Sequence, residues 1–307
     1  FTGTFDGQNH TISGLYINGT TGYVGLFGCV GTDGTAIGTV KKVTVTGSYV
    51  SGNSYVGGVC GYNKGGIVIG CHNSGRVTGN SSSTDGVCGK NEGTLENSSN
   101  NGEVTGNSFY TGGVCGNNVG GSVSGCYNTG KVKYYYRTQA HEQGVGGIAG
   151  YLDQGSAVIS NSYNCGELVL DDVTATKGTR GGVLGGAKSG ASYTLTNCFF
   201  AADENGRFGD QNTYGAKAVA AERLGTAELV SSLGSRWQVS CPYAVLDWQT
   251  AKAHTEPDSV TGKCTNCGAQ LTGGNHAPTL KEGIDETAAA TTDTRTAYTL
   301  DLSTIFT

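Results

Sequence analysis

The sequence predicts an all-β chain folded as a parallel β-helix, or β-solenoid, of about six coils. Three observations carry that expectation. A glycine-framed apolar box recurs six times, and a second Asn/Gly block follows most of the boxes. The segments between them are rich in Val, Ile, Thr and Tyr and lack helical periodicity before Ala216. The boxes are Gly25-Leu26-Phe27-Gly28, Gly58-Val59-Cys60-Gly61, Gly86-Val87-Cys88-Gly89, Gly113-Val114-Cys115-Gly116, Gly147-Ile148-Ala149-Gly150 and Gly182-Val183-Leu184-Gly185. Their closing glycines, at 28, 61, 89, 116, 150 and 185, lie 33, 28, 27, 34 and 35 residues apart. A unit this short cannot bury its own apolar face, so neighbours stack and share one core.

Composition agrees. Glycine makes up 54 of 307 residues, well above the usual share of about 7%, yet the chain is too periodic and too apolar for a flexible linker. The formal net charge is −5 and Lys and Arg form no cluster, which disfavours nucleic-acid binding. No run of 18 apolar residues exists to span a membrane in this segment.

The second block reads Cys71-His72-Asn73-Ser74-Gly75-Arg76-Val77, Ser98-Ser99-Asn100-Asn101-Gly102-Glu103-Val104, Cys126-Tyr127-Asn128-Thr129-Gly130-Lys131-Val132 and Ser162-Tyr163-Asn164-Cys165-Gly166-Glu167-Leu168. Alternation followed by an Asn/Gly turn is a strand–turn–strand pattern. If each repeat is one coil, equivalent residues stack. Asn73, Asn100, Asn128 and Asn164 then form an amide ladder at a bend. Arg76, Glu103, Lys131 and Glu167 alternate in sign from rung to rung, so opposite charges face each other. His72 is expected to share an outward column with Tyr127 and Tyr163.

Cys60, Cys88 and Cys115 occupy one place in three boxes, where Ala149 and Leu184 stand later. Interchange with small apolar residues is how buried free thiols behave. Disulfides between neighbouring rungs are the alternative. Over Ala216–Leu233 the apolar residues take helical spacing, which predicts a short helix closing the stack.

Phe5-Asp6-Gly7-Gln8-Asn9-His10-Thr11-Ile12-Ser13-Gly14-Leu15, followed by Tyr23-Val24 and the first box, resembles the opening of GLUG-repeat regions. Such regions occur in bacterial cell-surface proteins of the Gram-positive, clostridial type. The later boxes match that motif, and Trp237-Gln238 with Pro242 to Gln249 resembles the segment that closes such repeats. The resemblance covers about 1–250 and implies a parallel β-helix displayed outside the cell or secreted. It implies no single activity, because GLUG repeats accompany adhesin-like proteins and IgA-cleaving surface metallopeptidases alike. Ala277-Pro278 through Ser303 resembles the start of a cadherin- or Ig-like module. The expected organisation is a solenoid over 1–200, its C-terminal cap over 201–252, a linker over 253–276 and the start of that module over 277–307. A chain starting at Phe1 and stopping at Thr307 inside such a module reads as a segment of a longer polypeptide with further domains.

The sharpest chemical motif is Cys264-Thr265-Asn266-Cys267, flanked by His254 and His276. Two cysteines in C-x-x-C spacing can fill two tetrahedral positions of zinc, with imidazoles supplying the others. A segment too short for a core gains from such a staple. A local disulfide and a plain linker are the other readings of the same residues. Catalysis is not expected here. The chain has no His-Glu-x-x-His helix and no Gly-x-Ser-x-Gly elbow, and among its sparse acidic residues only Glu103 and Glu167 fall at equivalent places. Tyr134-Tyr135-Tyr136-Arg137, in an insertion of the fifth coil, is the candidate ligand-binding patch on an expected exposed loop. Tyrosine offers stacking area and a hydroxyl, which suits host, plant or mucin glycans and glycoproteins. The competing reading packs alternate tyrosines onto the coil. An adhesin-type binding surface, a passive stalk and an accessory β-helix of a polysaccharide-degrading or protease polypeptide all fit this sequence. No cofactor beyond a structural zinc is expected.

Overall fold

The computed structural model describes residues 1–32, 34, 36–107, 109–135, 143–170, 178–202, 207, 208, 214–253, 263 and 264. The chain is all-β, and its strands stack in parallel into a β-helix of six coils. The box column contributes six strands in register: Phe27–Val30, Cys60–Asn63, Cys88–Asn91, Cys115–Asn118, Ala149–Leu152 and Leu184–Ala187. The residues after the Asn/Gly turn give a second six-stranded sheet, running from Tyr16–Asn18 to Leu168–Leu170. A five-stranded sheet from Val56–Gly57 to Gly178–Gly181 precedes the boxes. The longest sheet starts at Thr4–Ser13 and Thr39–Thr46 and runs through Ser192–Ala202 to Lys217–Ala220.

The core is a set of columns. Val59, Val87, Val114, Ile148 and Val183 are each fully buried, as are Cys60, Cys88 and Cys115 beside them. Burying each such side chain contributes about 1.5–3 kcal/mol, and repetition along the axis makes the sum large. Cys60 pairs in register with Cys88, and Cys88 with Cys115. All three are free, and the thiols of Cys60 and Cys115 are pushed far above the ordinary range. At Cys115 the first cause is burial; at Cys60 it is the hydrogen bond with Cys88, followed by burial.

The amide ladder forms as the stacking requires. Asn73 Nδ2 donates to Asn100 Oδ1 at 2.8 Å, Asn100 to Asn128 at 2.8 Å and Asn128 to Asn164 at 2.9 Å. Each amide also closes its own turn. Asn100 Nδ2 reaches the Gly102 carbonyl at 2.9 Å, and the Gly102 N–H returns to Asn100 Oδ1 at 3.2 Å. A second ladder that the sequence reading missed joins Asn63, Asn91 and Asn118 at 2.8 Å per step. Its signal was present: an Asn follows the box cysteine by three residues in three successive coils.

The alternating charges pair in part as expected. Arg76 meets Glu103 at 3.5 Å and Lys131 meets Glu167. Glu103 also takes Lys133, two residues beyond Lys131, at 2.6 Å. These groups are partly exposed, so each pair is worth at most about 1 kcal/mol.

The cap departs from the expected end-closing helix. Lys217–Ala220 does add a parallel strand beside Phe199–Ala202, covering the last edge. The helix α1 (Ala227–Leu233) is only seven residues long. With the segment 237–249 it lies along the flank, over the column of His72, Ser99, Tyr127 and Tyr163. Leu224, Leu229, Leu233, Trp237 and Leu246 bury their side chains against Tyr127, Tyr163 and Phe199. Polar bonds fix the register: Tyr127 Oη donates to Gln249 Oε1 at 2.9 Å, Gln249 Nε2 to Ser99 Oγ at 3.1 Å, and Trp248 Nε1 to the Asn97 carbonyl at 3.1 Å. The expected linker falls almost wholly, and the expected cadherin- or Ig-like start at 277–307 wholly, outside the described residues.

Candidate ligand-binding groove

The strands before and after each box meet at a corner, so two side-chain columns run side by side along the axis, with Ser83, Tyr62, Asn117 and Tyr151 buried within them. The first column holds Tyr55, Ser83, Tyr110 and Gly144, with Tyr23 ahead of them. The second holds Cys29, Tyr62, Lys90, Asn117, Tyr151 and Gly186. Where both columns carry an aromatic residue, the rings face each other. Tyr110 stacks on Tyr151 with ring centroids 4.2 Å apart and planes 11° from parallel. Phe109 tilts onto Tyr110 at 6.1 Å.

Half-buried Tyr110, with the 3%-exposed Tyr151 packed against it, forms one wall of an open groove of about 580 Å³ lined by Ser82, Phe109, Tyr110, Tyr151, Asp153, Lys188 and Ser189. Asp153 and Lys188 stand on successive rungs, because the Lys188 N–H donates to the Leu152 carbonyl at 2.8 Å. Their side chains pair at 3.2 Å while staying partly exposed. The groove thus sets a flat aromatic wall beside one anionic acceptor and one cationic donor. That combination suits a ring with apolar faces and hydroxyl edges.

Along the same columns toward the N-terminus, Tyr23, Tyr55 and Tyr62 form a second stacked cluster. Its centroids lie 5.4 to 6.2 Å apart. Lys90 lies over Tyr62 at 4.8 Å and over Tyr55 at 5.7 Å, a cation–π arrangement. It also pairs with Glu92 at 2.7 Å. Burial opposes ionisation of Glu92, but hydrogen bonds from Lys90 and Tyr62 outweigh it and hold the carboxyl below its ordinary value. Tyr23 and Tyr55 adopt left-handed backbone, φ 58° and 52°, which costs a bulky L-residue about 1–2 kcal/mol each. Both residues lie in the bend that precedes Val24 and Val56.

The sequence-predicted patch does not occupy this groove. Tyr134 is a correction: it is 2% exposed, packed with Val104, Val132, Val145 and Leu168. It ends the strand Val132–Tyr134, where alternation points Val132 and Tyr134 inward and Lys133 outward. Tyr135 is half-buried, and Tyr136 and Arg137 lie outside the described residues. Of the zinc candidates, Cys264 is buried, with its Sγ 3.7 Å from that of Cys241. His254, Cys267 and His276 lie outside the described residues. Among the described residues, no three His, Cys, Asp or Glu side chains converge as a metal site. No described helix is long and apolar enough to cross a membrane.

The family profile described as the GLUG motif matches residues 52–78 and 107–133. Each match spans one box and one Asn/Gly block, the two halves of a coil. Comparison with curated protein sequences gives no significant match. In fold, the chain is similar to a crystal structure from Bacteroides ovatus, provisionally described as an immunoglobulin A1 protease. The TM-score is 0.61 at 22% identity, over 80% of this chain and 77% of that one. At that identity the likeness concerns architecture.

Proposed function

We propose that this chain is an extracellular, non-catalytic repeat region of a bacterial surface protein that binds glycan along its box-side groove. The observation that carries the reading is the Tyr110–Tyr151 stack beside the Asp153–Lys188 pair. Stacked rings take the apolar face of a sugar, while a carboxylate and an ammonium group reach its hydroxyls. The second tyrosine cluster, on the same columns, offers a further contact for an extended ligand. The GLUG matches and the likeness to a protein described as an immunoglobulin A1 protease favour a surface setting near host glycoprotein.

The second reading is a stalk, favoured by two buried amide ladders that hold the rungs in fixed register. Incubating the full chain with an array of host, plant and mucin glycans separates the two. Saturable binding that falls at least tenfold in Tyr110→Ala supports the groove. A blank array favours the stalk.

A further inference from the structure

The tyrosine and the carboxylate of the groove recur together nearer the N-terminus. Tyr55 and Tyr110 belong to one column, with Ser83 on the rung between them. Past the box, the residues that follow Asn91, Asn118 and Leu152 continue in register, so Glu92, Val119 and Asp153 share a further column. Glu92 therefore stands one rung beyond Tyr55, as Asp153 stands one rung beyond Tyr110. Each carboxylate holds a lysine, Glu92 with Lys90 at 2.7 Å and Asp153 with Lys188 at 3.2 Å. Each half-buried ring also has a buried tyrosine stacked on it, Tyr62 on Tyr55 and Tyr151 on Tyr110. Tyr23, stacked on Tyr55 and 51% exposed, widens the earlier platform.

The two sets are offset by two rungs, about 10 Å at the spacing of neighbouring strands. That offset equals the disaccharide repeat of an extended β-1,4-linked pyranose chain, in which every second ring presents the same face. An α-1,4-linked chain coils and has no such straight repeat. Because each carboxylate is matched by its own lysine, neither set favours an anionic sugar.

Resting on the glycan reading of the groove, we infer that Tyr23, Tyr55, Lys90 and Glu92 form a second sugar site. The ligand is an uncharged β-1,4-linked glycan lying along the solenoid axis, with alternate rings on Tyr55 and Tyr110. A disaccharide fills one site, whereas a tetrasaccharide reaches both. Its second contact is then intramolecular, so affinity climbs with ligand length.

The test is titration calorimetry of the full chain with cello- and chito-oligosaccharides of two to six residues, and with malto-oligosaccharides of the same lengths. In the cello or the chito series, one tetrasaccharide is expected per chain, bound at least tenfold more tightly than the disaccharide. Tyr55→Ala and Glu92→Gln should each remove that gain while circular dichroism stays unchanged. Should Tyr55→Ala misfold, Glu92→Gln and the length dependence of the wild type still decide. A tetrasaccharide no tighter than the disaccharide, full tetrasaccharide affinity in both folded variants, or an equal gain in the malto series would each overturn the second site. If Tyr110→Ala still abolishes binding in those cases, the groove stands and only the second site falls. If Tyr110→Ala binds as the wild type does, both fall. Absence of binding in both β-1,4 series also overturns the second site, while an array glycan lost in Tyr110→Ala would leave the groove in place.

Discussion

Gly113, the first glycine of the fourth box, lies against the side chain of Asn128 on the opposite wall of the coil. A Cβ at Gly113 would overlap the Asn128 carboxamide and the Gly147 carbonyl. The two motifs that repeat along the chain therefore require each other: the box starts with glycine because the ladder amide fills the space beside it. Gly113→Ala is expected to cost about 1–3 kcal/mol, the range for overpacking a tight interior. Gly19→Ala, whose Cβ would meet nothing closer than 3.9 Å, is expected to change stability by less than about 0.5 kcal/mol. Urea unfolding of the two variants checks this, and equal costs would refute the packing account.

Asn100 sits inside the longer ladder with amide partners on both sides. Asn100→Ala leaves the Gly102 N–H and the Asn73 amide short of partners in a dry interior, which costs about 1–3 kcal/mol for each group left unsatisfied. Asn107, which donates to Asn80 at 2.9 Å in an exposed pair, is the control. Asn107→Ala should cost less than about 1 kcal/mol, because water replaces the lost bond.

Asp85 stands in a column otherwise made of Gly57, Gly112, Gly146 and Gly181. It is fully buried; its Oδ1 accepts the Gly112 N–H at 2.9 Å, while its Oδ2 has no partner in bonding geometry. Burial first, and Cys88 second, push its carboxyl well above the ordinary range, opposed by the N–H groups of Gly112 and Gly116. Because the folded value is raised, this group's contribution to stability is complete below the unfolded value near 3.8. It is lost as pH rises through the folded value. Asp85→Asn should therefore gain stability relative to wild type on going from mild acid to neutral pH. Thermal melts at several pH values read this directly, and parallel curves for the two proteins would contradict it.

Burial pushes the thiols of Cys71, Cys126 and Cys198 up to about 12. The thiolate is the reactive form, so these cysteines should resist iodoacetamide at pH 8 in the native chain and react fully in urea. Peptide mapping after a short pulse of reagent shows which sites are labelled. Rapid native labelling of Cys126 would contradict the packed core.

The solenoid was legible because its information is periodic. Asn73, Asn100 and Asn128 recur at intervals of 27 and 28 residues, and stacking alone then puts them in one column. The groove was not legible. Tyr110 and Tyr151 belong to different columns on different coils, and only the corner at the box brings their rings together. The tyrosine run at 134–136 attracted attention as a cluster, yet alternation already assigned Tyr134 to the inside beside Val132. The flank position of the cap depends on Gln249 and Trp248 finding Ser99 and Asn97, some 150 residues earlier, a pairing without local signal.

The measurement that tests the groove most directly is titration calorimetry with the tightest glycan from the array. It would compare the wild-type chain with Tyr110→Ala, Lys188→Ala and Tyr16→Ala. Tyr16 stacks on Tyr49 at 5.5 Å on a different sheet and is 70% exposed, so it controls for any exposed tyrosine pair. The account predicts at least tenfold weaker binding in Tyr110→Ala, a smaller loss in Lys188→Ala and an unchanged affinity in Tyr16→Ala. Undiminished binding in Tyr110→Ala together with loss in Tyr16→Ala would move the site to the other face and contradict the account.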